Sequence, residues 1–200
     1  MNRTREQLLP ILWHWITLLA HALPLRSVPT LIELVVGALL RQRGWVTAAY
    51  LAITAQRHWT SYYQWVQQGR WSWLRLGQYL AVLLRCSVPR RVWSLGVDDS
   101  INCRASLQAP SRGRHHHHSR KGNRPRVLQG QCWVLLAAGL SRGRRYCSAI
   151  PLLARLQPPV GNRSKLPAAC GLLRALGAIL QECQVGVLLD CWDLRGTVIQ

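Results

Sequence analysis

The chain has 200 residues, 49% of them hydrophobic, with 26 Lys+Arg against seven Asp+Glu and a formal charge of +19. That hydrophobic share excludes a mostly disordered chain, and the length suffices for one good core or two small ones. A pI near 11.3 calls for an anionic partner, nucleic acid or an anionic membrane face, because unbalanced positive charge repels itself and is relieved by phosphates.

From the start to about residue 85 the pattern is helical, with runs over 6–22, 30–41, 46–56, 61–68 and 73–84 and breaks at Pro24, Pro29, Gly44 and Gly69. These runs predict an all-helical bundle over residues 1–88, and its basic and aromatic residues make it a candidate DNA-binding domain. Its surface would carry Arg41, Arg43, Arg57, Arg70, Arg75 and Arg85, interleaved with Trp59, Tyr62, Tyr63, Trp65, Trp71 and Trp73. Such a mixture suits phosphate contact and base stacking, although aromatics at this spacing are more often core. Leu8 to Leu25 is 18 residues without a formal charge, close to the minimum for a membrane span. His14, His21, Pro10 and Pro24 interrupt it, so a membrane is not favoured, and no small-residue cleavage site marks a signal peptide.

After Pro89 the character changes. Three apolar, β-branched runs (92–98, 127–138 and 146–153) read as successive strands, with a loop dense in Arg, His, Lys, Gly and Pro over 109–126. A Pro/Gly/Asn linker (157–165), a helical run (167–184) and a last strand ending at Asp190 follow. The fold class expected is α/β. A strand–helix–strand crossover makes the last strand parallel to an existing one. If that neighbour is the first strand, their C-terminal ends lie side by side and bring Asp99 and Asp190 together.

Four of the seven acids fall as close pairs after apolar runs, Asp98/Asp99 and Asp190/Asp193. Carboxylates at strand ends in so basic a chain suit Mg²⁺ (or Mn²⁺), a hard cation that prefers oxygen and accompanies phosphate. Two facing carboxylates repel unless a cation sits between them, and paired divalent ions promote phosphodiester cleavage. Ordinary strand-end aspartates give the same spacing.

An ordered series of motifs carries more: 95–100 (LGVDDS), Arg104-x-Ser106 with Ala109-Pro110, 118–125 (HSRKGNRP), 130–134 (GQCWV), 150–152 (IPL), and Leu189-Asp190-Cys191-Trp192-x-x-Arg195. Together these resemble the DDE-type transposases of bacterial insertion sequences, whose catalytic core is RNase H-like. The resemblance implies an incomplete RNase H-like domain over 89–200, with Asp99 and Asp190 as catalytic, metal-binding carboxylates; Asp98, on the opposite side of its strand, is a weaker candidate. It also implies metal-dependent cleavage and strand transfer on double-stranded DNA at transposon ends and target sites, by a homodimer in a bacterial cytoplasm. The family's third acid, usually Glu, comes from a helix well beyond the second aspartate. With the chain stopping at Gln200, a C-terminally truncated transposase, inactive alone, is expected. Ser100 stands where Thr is commoner, and Asp193 where an aromatic residue is. A non-catalytic DNA-binding remnant and a cationic membrane-associated protein are the alternatives.

The basic loop supplies the DNA-binding candidates Arg112, Arg114, Lys121, Asn123, Arg124 and Arg126 around His115–His118. Four consecutive histidines cannot all face one ion, so a phosphate-facing loop is the preferred reading over a merely solvated charged loop and, behind that, a transition-metal site. Seven cysteines without a C-x-x-C pair fit neither a zinc site nor a disulfide framework, which points to a reducing compartment and to cysteines used as small buried hydrophobes. Trp133 and Trp192 are expected in the core.

Overall fold

The computed structural model describes residues 10–41, 45–88, 92–116, 125, 127–142, 146–159 and 165–189. Two compact units divide the chain, Met1–Leu83 and Leu84–Gln200.

The first unit is helical: α1 (Pro10–Ala20), a 3₁₀ turn (Leu25–Ser27), α2 (Val28–Arg41), α3 (Val46–Leu51), α4 (Trp59–Gln68) and most of α5 (Trp73–Ser87). Pro29 does not break the chain as expected. It lies in the first turn of α2, where a missing N–H costs nothing and the fixed φ suits a helix. Helix α3 is shorter than the expected 46–56 run. After Leu51 the backbone closes 3₁₀-type bonds from Ala52 and Ile53 to Ala49 and Tyr50, and β-branched Ile53 and Thr54 do little to prolong a helix. Gly37 lets α2 and α3 touch, since a Cβ there would lie 2.2 Å from the Ala49 carbonyl oxygen. Ile16, Leu31, Ala49 and Tyr62 fill the core.

The second unit is a mixed five-stranded sheet with a helix. β1 (Val92–Cys103), β2 (Gly113–His116), β3 (Val127–Arg142), β4 (Tyr146–Leu156) and β5 (Gln184–Leu189) are joined by α6 (Lys165–Leu180) between β4 and β5. β3 pairs antiparallel with β1 along one edge, and with β2 and β4 along the other; β5 lies parallel to β1. The parallel placement of the last strand beside the first is the arrangement anticipated from the crossover. Trp93, Leu95 and Val97 of β1 and Cys132, Val134, Leu136 and Ala138 of β3 are buried. Period-2 alternation and the pairings Val97↔Leu136 and Leu95↔Ala138 put them on one face. Ala168, Ala169, Leu172, Leu176 and Leu180 of α6 are buried at helical spacing, and α6 packs on β3 and β4.

Two features depart from the sequence reading. The 109–126 stretch is not loop throughout, because β2 forms inside it and pairs with Val127–Gly130. Its residues, Gly-Arg-His-His, have no apolar alternation to signal a strand. The strands also run longer than their apolar cores, β1 continuing from Asp98 to Cys103 and β3 from Ala138 to Arg142, because the cross-strand ladder extends through polar positions. Pro151 is accommodated on β4, which among the described residues pairs only with β3, where the register slips between Leu136 and Ala137; an edge strand and a bulge are the places a sheet tolerates proline. Among the described residues no helix is long and apolar enough to cross a membrane.

Candidate functional site

Asp99 sits on the β1 face that carries Val97 and Leu95, directly opposite Val134. The last described residue of β5, Leu189, pairs with Val97, so β1 carries Asp99 two positions past the final β1–β5 pair. The other predicted metal ligand, Asp190, lies outside the described residues, as do Cys191, Trp192 and Asp193. Asp98 faces the other way and is exposed; its Oδ1 accepts the Asp99 backbone N–H at 2.8 Å.

The Asp99 carboxylate is not alone. Lys165, the first residue of α6, places its Nζ 2.5 Å from Asp99 Oδ2, with side-chain exposures of 24% and 35% respectively. The sequence reading had left Lys165 in a linker. No signal marks a lysine 66 positions away as the partner; only the packing of α6 across the sheet brings them together. A cation at a helix N-terminus opposes the macrodipole, and α6 has no acid in its first turn. Asp99 supplies that negative charge from the sheet.

Cys132, on β3, completes the cluster by donating its thiol to Asp99 Oδ2 at 3.5 Å. Burial pushes the thiol up to about 11, the neighbouring carboxylate adds to the rise, and Lys165 opposes it. It is therefore a neutral donor to Asp99 at neutral pH. Not all cysteines are buried as expected, since Cys86, Cys103 and Cys147 are exposed.

The motif residues between β1 and β2 form a strap. β1 and β2 flank opposite edges of β3, and both Cys103 and Gly113 pair with Gly130, so residues 104–112 cross β3. Gln131, only 5% exposed, donates its Nε2 to the Pro110 carbonyl at 2.7 Å. Arg112 donates to the Arg104 carbonyl at 3.1 Å and to the Gln129 side chain. Gln131 pairs with Asn102 rather than with an Asp99-face residue, which puts this strap on the opposite face of the sheet. Arg112 thus holds the strap instead of standing free for phosphate. Arg114 is exposed on β2, and His115 Nε2 lies 3.1 Å from the Gly130 carbonyl oxygen. Lys121, Asn123, Arg124 and Arg126 lie outside the described residues. Among the described residues no cluster of three or more His, Cys, Asp or Glu is placed to hold a metal ion.

In the helical unit the basic and aromatic positions sort into two groups. Tyr62 is fully buried and donates to the Glu33 carboxylate; burial, and then the acid beside it, push its phenol up to about 12. Trp65 and Trp71 stack with ring centroids 5.9 Å apart, and Arg57 donates to Thr30 at 3.3 Å. Trp59 and Trp73 are half-exposed, and Arg70 and Arg75 are exposed. Arg85, counted with the phosphate-facing arginines in the sequence, belongs to the second unit. It donates to the Ile179 carbonyl at 2.6 Å and pairs with Glu182, satisfying a helix C-terminal carbonyl of α6.

Comparison with protein-family models, with curated proteins and with solved structures finds no match to this chain.

Proposed function

We propose that the chain is a DNA-processing protein of the DDE-transposase type, with an RNase H-like core in which Asp99 and Asp190 hold Mg²⁺ (or Mn²⁺) against a phosphodiester. The observation that carries this reading is the parallel β1–β5 pair, whose Val97↔Leu189 register ends two residues short of Asp99. The strand order is consistent with it. Antiparallel β1, β3 and β4, a crossover through α6 and a parallel last strand beside β1 make a sheet edge where carboxylates from distant segments can meet.

The Asp99 end of the sheet suits a cation, since an ammonium already sits against Oδ2. Asp99 would be one ligand and Asp190 the second. When bound, the metal supplies activation of an attacking water or 3′-hydroxyl and stabilisation of the leaving oxygen. The chain's own residues position the strands: exposed Arg114, and Lys121, Asn123, Arg124 and Arg126 beside it in sequence, would contact phosphates, with Trp59 and Trp73 available for stacking.

Binding to a short DNA duplex tests the partner. Affinity should fall steeply with salt, as phosphate neutralisation and counterion release require, and a flat salt response sinks the DNA reading. Manganese-dependent nicking that Asp99→Asn abolishes would identify the catalytic carboxylate. The second reading, a non-catalytic DNA-binding remnant, is favoured by one observation, the neutralisation of Asp99 by Lys165. Salt-dependent binding without nicking, even with a segment bearing a third acid supplied in trans, would select it.

A further inference from the structure

We propose that Lys165 is a resident counter-ion for Asp99 and competes with divalent cations for that carboxylate. This rests on the reading of Asp99 as a metal ligand. The Lys165 Nζ lies 2.5 Å from Asp99 Oδ2, a seat that a magnesium ion coordinated at about 2.1 Å would have to share. A dication and an ammonium a few ångström apart repel each other even in well-screened surroundings. A dication therefore binds Asp99 only as the ammonium withdraws.

Three features make withdrawal feasible. Lysine carries a compact charge on a flexible four-carbon stem with no fixed bidentate geometry to break. Its side chain retains 24% exposure, so the departing ammonium has solvent to enter. Its place at the α6 N-terminus lets the helix dipole favour release. Without metal, the pair keeps Asp99 compensated beside the buried Cys132 thiol. Lys165 is thus a positioning residue that holds the carboxylate in place and sets the threshold for metal entry.

Mn²⁺ binding to the full chain, followed by the loss of the free-ion electron paramagnetic resonance signal, tests the proposal. Lys165→Gln should bind Mn²⁺ about tenfold more tightly than the parent chain, as expected for removing one nearby positive charge. Lys165→Arg should not tighten binding, and Asp99→Asn should lose it. Equal or weaker binding by Lys165→Gln, with the parent chain still binding through Asp99, overturns the competition and leaves the metal reading standing. Absence of Asp99-dependent binding in every variant overturns both. A second measurement needs no variant: Mn²⁺ should speed acetylation of Lys165 in the parent chain, read by peptide mass mapping. An unchanged rate under saturating Mn²⁺ also overturns the proposal.

Discussion

Glu33 in the helical unit and Asp99 in the sheet unit are both acids held by one strong donor, yet the two arrangements serve different ends. Glu33 accepts from Tyr62, a phenol that is fully buried among helices. That bond links α2 to α4 in the middle of a packed unit. Asp99 accepts from Lys165, an ammonium that keeps partial exposure at the end of a strand. The first donor cannot leave without opening a core; the second can leave into water. A neutral, buried donor makes an acid structural, whereas a charged, partly exposed one leaves an acid more open to another cation.

The contrast can be broken most severely at Tyr62. Tyr62→Ala should cost the helical unit about 3–5 kcal/mol, as for other large buried aromatic truncations, measured by urea unfolding. Loss of less than 1 kcal/mol would mean that the Glu33 arrangement is no more structural than the Asp99 one. Gly37→Ala comes next, because the added methyl meets the Ala49 backbone, which cannot give way as a side chain would. About 1–3 kcal/mol of destabilisation is expected, and an unchanged melting curve would refute the close α2–α3 crossing.

Alkaline pH sharpens the comparison with the phenol itself. The Tyr62 hydroxyl is raised from 10.0 to about 12 in the folded chain, so the native state holds the proton more tightly than the unfolded state. The resulting stability is fully present below pH 10 and is lost as pH climbs toward 12. Absorbance at 295 nm should show one tyrosine titrating late, a step that Tyr62→Phe removes. Cys132, raised from 9.0 to about 11, follows the same sign between those values. Thiol labelling at pH 8 should modify exposed Cys86, Cys103 and Cys147 well before it. Early labelling of Cys132 would show the Asp99 cluster to be open.

The smallest effect is expected at Lys165. Its pair with Asp99 is partly exposed, so Lys165→Gln should change stability by no more than about 1 kcal/mol, even while it alters metal affinity. A loss comparable to that of Tyr62→Ala would erase the distinction between the two acids.

Local patterning was enough to anticipate the helices of residues 10–87, the strands around 92, 127, 146 and 185, and the parallel crossover, because hydrophobic period and the strand–helix–strand order are properties of contiguous sequence. Asp99 was legible for the same reason, as an acid ending an apolar run. The β2 strand was not, since Gly113–His116 pairs through its backbone while its side chains carry no strand pattern. Nor could Arg112 and Arg85 be told from phosphate-binding arginines, for their carbonyl partners Arg104 and Ile179 are fixed by the strap and by α6. Composition by itself determined the strongly basic character of the chain. Only tertiary packing decided that Lys165 would reach Asp99 across 66 positions, because such a contact depends on where a helix lies on a sheet and not on the residues adjoining either partner.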